Sequence, residues 1–125
     1  MENEDLKERT QRFSVRIMNM VEHLPETRSS KVIASQILRS SSSVGANYRA
    51  ARRSKSGRDF INKLKIVEEE TDETLYWLEL IEQAKILDPK KLEDLTKEAN
   101  ELLAIFVTSI KTAKGNLAKT KKVRS

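Results

Sequence analysis

Five cations within ten positions are the residues whose chemistry is easiest to name, because together they could bind phosphate groups. They are Arg49, Arg52, Arg53, Lys55 and Arg58. No acidic residue interrupts the stretch 27–58, which holds eight Lys or Arg in all. Such a cluster is typical of contacts to a nucleic-acid backbone. No base-reading motif accompanies it, so the predicted binding follows backbone or shape rather than base sequence.

A second acid-free segment, residues 114–125, carries five more cations. Three of these cations, Lys119, Lys121 and Lys122, could add phosphate contacts. The formal net charge is +5, but these two segments hold 13 of the 24 basic residues and none of the 19 acids. This asymmetry predicts an anionic partner, or self-association between oppositely charged surfaces.

A polar edge follows one predicted helix at steps of four and faces acids on the next helix. The edge contains Arg39, Ser43 and Asn47, and the acids that face it are Glu69 and Glu73. We expect a buried Arg39–Glu73 ion pair, with Ser43 and Asn47 supplying hydrogen bonds. Such a pair would fix helix register more than it raises stability. The alternative is a catalytic or ligand site.

Residues suited to catalysis or metal binding are scarce. The chain has no cysteine and one histidine, His23, and it lacks a glycine-rich phosphate loop. The serine run 40–43 has no identifiable base, so it favours packing over nucleophilic catalysis. The acid run 68–73 lacks the Glu-x-x-His motifs of di-iron bundles. We therefore predict no catalytic residues, no metal, no cofactor and no enzymatic activity.

The elements that must position these residues are helices. Four apolar stripes with steps of three or four residues follow one another, as amphipathic helices require. With 125 residues, three glycines and two prolines, the chain predicts one all-α domain. Because the connections are short, we expect an antiparallel up-down-up-down four-helix bundle over residues 1–115. Gly115 is expected to end the last helix and leave a flexible basic tail, residues 116–125.

Helix boundaries are marked by residues that stop or cap helices. Pro25 is expected to close the first helix, and Ser29 or Ser30 to cap the second. Ser56 with Asp59 three residues later resembles a capping box for the third helix. The pair 88–89, Asp-Pro, is a good start for the fourth.

A second apolar stripe on the third predicted helix contains Ile66, Trp77 and Leu80. It lies away from the core stripe, and tryptophan is enriched at subunit interfaces. We therefore predict a homo-oligomer interface there. The alternative is a wide core face with Trp77 half-covered by the fourth helix.

No membrane or export signal is evident. The longest apolar run, residues 102–107, is far shorter than the roughly 20 residues that span a bilayer. The first five residues are acidic rather than apolar. The expectation is a soluble cytoplasmic protein with no membrane partner.

Residues 36–47 are similar to the Q-x-x-R-S-x-x-S-x-x-x-N signature of the 23S rRNA intervening-sequence protein family. Asp59-Phe60-Ile61 and the segment 73–78 also fit, and the resemblance covers roughly residues 6–112. Arg39, Ser43, Asn47 and Glu73 match the polar signature of that family. Residues 47–51 read Asn-Tyr-Arg-Ala-Ala where many members have Asn-x-x-Glu-Gly, so an acid is lost and this end is more basic.

The resemblance implies a short four-helix bundle that assembles into a homopentameric ring. The accessory variability determinant proteins of diversity-generating retroelements look like relatives. These are basic pentameric bundles that bind nucleic acid and a reverse transcriptase, which makes such an enzyme a partner by analogy. We predict a non-enzymatic homo-oligomer that binds RNA or DNA backbone. The alternative is a protein-interaction scaffold whose basic surface contacts an acidic protein or another subunit.

Overall fold

A computed structural model describes residues 5–124, with side chains described through residue 120. These residues form four α-helices and no strand, which confirms the all-α prediction. The helices are α1 (Leu6–Val21), α2 (Arg28–Arg52), α3 (Gly57–Gln83) and α4 (Pro89–Arg124). All three connections are short, so successive helices lie beside each other.

Two of the predicted helix starts are confirmed by their caps. The Ser56 side chain accepts a hydrogen bond from the backbone N–H of Asp59 at 3.1 Å, which caps α3. The carboxylate of Asp88 accepts from the N–H of Lys90 at 3.0 Å, immediately before α4. Each cap satisfies a backbone donor that would otherwise lack a partner at the helix start.

The start of α2 differs from the prediction. Thr27 is the N-cap, and its hydroxyl accepts from the N–H of Ser30 at 3.2 Å. The expectation of Ser29 or Ser30 as the cap is wrong, because both residues already lie inside the helix. Thr27 is itself a favoured cap residue. With this cap the helix begins two residues earlier than it would with Ser29 as the cap.

The last helix also differs, because α4 passes through Gly115 and continues to Arg124. The expected end of the helix at Gly115 is therefore wrong, whereas the flexibility of the basic tail stays a prediction. One glycine costs a helix only about 1 kcal/mol relative to alanine. The residues that follow are mostly good helix formers, and Leu117 is partly buried against the core.

All four helices contribute to one apolar core. The largest completely buried side chains include Phe13 of α1, Ile37 of α2, Leu78 of α3 and Phe106 of α4. Their spacing matches the apolar stripes of the sequence, because residues three or four apart share a helix face. The core therefore holds the four helices in the arrangement that positions the polar and basic clusters.

Small residues in the middle of α2 allow α1 to approach closely. A β-carbon placed on the buried Gly45 would lie 3.4 Å from Oγ1 of Thr10. Nearby, the Ser14 hydroxyl donates a hydrogen bond to the carbonyl oxygen of Ser41 at 2.8 Å. The serine- and glycine-rich stretch is thus helical and serves helix packing, as its apolar spacing predicts.

Among the helices of the described chain, none combines the length and apolar character needed to cross a membrane.

Candidate nucleic-acid interface

The two acid-free basic segments meet at one end of the molecule. Arg52, in the last turn of α2, lies 3.2 Å from the carboxylate of Asp5 at the start of α1. At the first residue of α3, a β-carbon on Gly57 would lie 3.3 Å from Cδ1 of Leu117 in α4. The start of α1, the α2–α3 turn and the late part of α4 therefore form one surface.

We call this surface the basic end. Its cations with described side chains are Lys7, Arg49, Arg52, Arg53, Lys55, Arg58, Lys114 and Lys119. All eight are exposed to solvent. Lys121 and Lys122 lie on the final part of α4, but their side chains are outside the described residues. The basic end thus gathers cations separated by more than one hundred positions in the sequence.

Four of these cations line a single concavity of about 200 Å³, and they are Lys7, Arg49, Arg52 and Arg53. The guanidinium of Arg52 also lies 5.9 Å from the centroid of the Tyr48 ring, within cation–π range. Lys7 lies outside the predicted cluster of cations. Its place in the concavity depends on how α1 packs beside α2, and no spacing within one segment reveals that packing.

Two helix ends influence the charges around this concavity. Arg49 and Arg52 lie in the last turn of α2, where the helix dipole favours cations. Asp5 caps the first turn of α1, where the dipole favours an anion. The pKa of Asp5 is lowered, mainly by the hydrogen bond from the backbone N–H of Lys7 and further by Arg52. Asp5 is therefore ionised at neutral pH.

The polar cluster between α2 and α3 contains most of the residues that the sequence predicts. The Arg39 guanidinium donates to both oxygens of Glu70, at 3.2 and 3.3 Å, and to Glu73. The Ser43 hydroxyl donates to Glu70 at 3.3 Å, and the Asn47 amide donates to the Ser43 hydroxyl at 2.7 Å. These side chains form one continuous hydrogen-bonded network.

Two details of that cluster correct the prediction. Glu70 occupies the place expected for Glu69, which instead lines a groove between α3 and α4 beside Leu103. Successive side chains on a helix are rotated by about 100° about its axis, so a shift of one residue moves a side chain to another face. The expected burial of the Arg39–Glu73 pair is also wrong, since their side chains are 47% and 35% exposed. Long side chains can meet at the surface edge without entering the core.

A buried hydrogen bond was missed beneath this network. The Thr74 hydroxyl donates to the Ser40 hydroxyl at 2.8 Å, and both residues are buried. The signal for this bond in the sequence was weak, because Ser40 lies within the apolar stripe of α2 and Thr74 lies beside the stripe of α3. The bond joins α2 to α3 and satisfies two polar groups that would otherwise be costly to bury.

Protonation of Glu73 is expected to change the fluorescence of Trp77, the only tryptophan. The indole N–H donates to the Glu73 carboxylate at 3.0 Å, and that bond and Arg39 lower the pKa of Glu73. A lowered folded-state pKa stabilises the fold above the unfolded pKa, and this contribution is lost as pH falls through the folded pKa. We expect a fluorescence transition with a midpoint below the ordinary value of 4.5.

The measurement is a fluorescence titration from about pH 6 to pH 2.5, compared with Glu73→Gln. The Gln variant keeps an acceptor for the indole but cannot titrate, so its transition should be absent. Far-ultraviolet circular dichroism at each pH separates this local change from unfolding. A transition that persists in Glu73→Gln would assign it to another carboxylate.

The three residues of the predicted oligomer interface differ in exposure. Ile66 is 41% exposed, whereas Trp77 and Leu80 are partly buried against the core of their own chain. Tyr76 is 53% exposed and packs edge-on against Trp77, with ring centroids 5.0 Å apart. The interface on this face of α3 stays a prediction.

The described chain offers no obvious metal site. Across residues 5–124, no group of three His, Cys, Asp or Glu side chains is placed to hold an ion.

An ion-pair cluster that sequence reasoning missed joins α1 to α4, where Arg9 contacts Glu98 at 2.8 Å and Glu101 at 3.0 Å. These carboxylates raise the pKa of Arg9. The cluster links two helices, and its opposite charges are paired with one another within the chain.

Comparisons with known proteins agree on one family. The family model described as 23S rRNA-intervening sequence protein matches residues 2–108. A crystal structure of a protein of unknown function from the S23 ribosomal protein family of Bacteroides thetaiotaomicron is 36% identical, with a TM-score of 0.79. The match covers 86% of this chain and 99% of that chain. A search of the curated proteins gives no match.

Proposed function

The chain belongs to the 23S rRNA-intervening sequence protein family, and we propose that it is a non-enzymatic homo-oligomer that binds RNA or DNA backbone. The observation that carries the proposal is the basic end, where two acid-free segments meet. Exposed cations on a common surface can neutralise several phosphates at once. The family description names 23S rRNA intervening sequences without an activity, and the B. thetaiotaomicron protein is of unknown function, so RNA and DNA are both candidate ligands.

We further infer that the four helices run in an antiparallel up-down-up-down order. The contacts between neighbouring helices support this order. As the residue number increases along one helix, the number of the residue that it contacts on the next helix decreases. Between α1 and α2 the contacts join 5 with 52, 10 with 45 and 14 with 41. Between α2 and α3, residue 43 contacts residue 70, and residue 40 contacts residue 74.

Assembly of several copies is the second part of the proposal. The exposed side chains of Ile66 and Tyr76 on α3 leave apolar surface that a second copy could cover. The family resemblance implies five copies. Size-exclusion chromatography with light scattering should then give about five times the chain mass of 14.4 kDa. A single-chain mass at micromolar concentration would contradict assembly.

Nucleic-acid binding is tested directly by fluorescence anisotropy with labelled 20-nucleotide RNA and DNA of mixed sequence. Affinity should fall steeply between about 50 and 200 mM salt, because phosphate contacts release counterions. It should depend little on base sequence, since backbone contacts carry no direct sequence information. Absence of binding, or binding that salt does not weaken, would contradict the proposal and favour a protein-interaction scaffold.

A further inference from the structure

The concavity at the basic end is more specific than a general positive surface. Its lining consists of four cations, Lys7 from α1 and Arg49, Arg52 and Arg53 from α2. Cations from two helices and from the turn after α2 thus line one concavity of about 200 Å³. Guanidinium groups suit oxyanions because their planar donors can bind two oxygens at once.

An anion of the chain itself already contacts one of these cations. The Asp5 carboxylate accepts a hydrogen bond from Arg52 Nη1 at 3.2 Å. The same carboxylate accepts the backbone N–H of Lys7 at 3.0 Å, so the cap of α1 holds it beside the concavity. Part of the positive charge of Arg52 is therefore neutralised within the free chain.

We propose that this concavity binds one backbone phosphate group of a nucleic acid, and that Asp5 competes with that phosphate for Arg52. The inference rests on the proposed function, because it places one phosphate of the bound strand. Tyr48, 5.9 Å from the Arg52 guanidinium, helps to hold that group in place when Asp5 releases it. A phosphate offers several acceptor oxygens to the cations around it, whereas Asp5 reaches the single guanidinium of Arg52.

The deciding variant is Asp5→Asn, which removes the charge but keeps a favoured helix cap. We expect its affinity for the 20-nucleotide RNA to rise about fivefold at about 0.1 M salt, which corresponds to one additional phosphate contact. The slope of log affinity against log salt should steepen by about 0.7. Lys7→Gln should act in the opposite direction by a similar factor.

The matched control is Glu8→Gln, which changes the net charge equally at an exposed position in the first turn of α1. Its affinity should stay within about twofold of the wild type, because Asp5 and not Glu8 is bonded to Arg52, so removing the Glu8 charge changes only the screened local field. Thermal unfolding should show that all three variants are folded. The DNA strand separates phosphate binding from RNA-specific binding, and a polyglutamate peptide tests a carboxylate ligand.

Three results would overturn the inference. Equal gains in Asp5→Asn and Glu8→Gln, with intact wild-type binding, would reduce the effect to net charge and leave the proposed function standing. No binding of RNA or DNA by the wild type would remove the proposed function and the phosphate subsite together. Tighter binding of polyglutamate than of RNA, with the same response to Asp5→Asn, would assign the concavity to an acidic protein.

Discussion

Changing Arg49, Arg52 and Arg53 together to glutamine is expected to weaken RNA binding about 100-fold at about 0.1 M salt. The three exposed side chains line the concavity, so the variant should lose the phosphate held there and the two flanking phosphates that the same guanidinium groups can reach. Each lost contact should also make the salt dependence shallower, by about 2 in the slope for three contacts with a single strand. Anisotropy titrations at four or more salt concentrations measure both quantities.

The matched control removes three exposed cations from the other end of the molecule. Arg28, Lys31 and Lys90 lie near the starts of α2 and α4, and their change to glutamine lowers the net charge by the same amount. Binding should fall much less, by about threefold or below, since screened charges act over about 10 Å. Equal losses in both triple variants would mean that RNA responds to total charge and that the basic end is not the site.

Phe106→Ala is expected to lower the free energy of unfolding by about 3–5 kcal/mol. The Phe106 side chain is completely buried, and its ring centroid lies 5.9 Å from that of Tyr48. Truncation would remove the apolar contacts that the Phe106 ring makes in the core and leave a cavity that rigid helices cannot fill. Urea unfolding followed by circular dichroism measures the change, at more than one protein concentration because the proposed assembly would add stability.

Two further variants make this result interpretable. Phe106→Leu keeps most of the volume and should cost less than about 2 kcal/mol, which preserves a folded comparison if the alanine variant does not fold. Lys111→Ala, at an exposed position of the same helix, should change stability by less than about 0.5 kcal/mol. A Phe106→Ala cost similar to that of Lys111→Ala would contradict the burial of Phe106.

The helices and the core were readable from the sequence because apolar spacing and helix caps are local signals. Ser56 and Asp88 cap their helices as expected. The end of α4 was not readable in the same way, since Gly115 is a common stop signal but a weak one. Its cost of about 1 kcal/mol is small enough for good helix formers after it to overcome.

The clusters between helices were readable only in part. The family signature pointed to Arg39, Ser43 and Asn47, and these residues do join one network. The choice between Glu69 and Glu70 depended on the rotation of α3 about its axis. The apolar stripe of the helix defines that rotation only to within about one residue. Lys7 and Asp5 were missed because their role arises where α1 meets α2, far away in sequence.

The separation of charge along the molecule has a kinetic consequence. The eight described cations of the basic end carry a charge of +8, so the remaining residues, with 16 basic and 19 acidic side chains, carry a net charge of −3. Such a distribution produces a directional field, so an approaching polyanion is turned toward one end before contact. Salt should then slow association more than a uniform +5 sphere would require, and it should leave the lifetime of the complex less affected. The molecule would select the orientation of encounter as well as the place of binding.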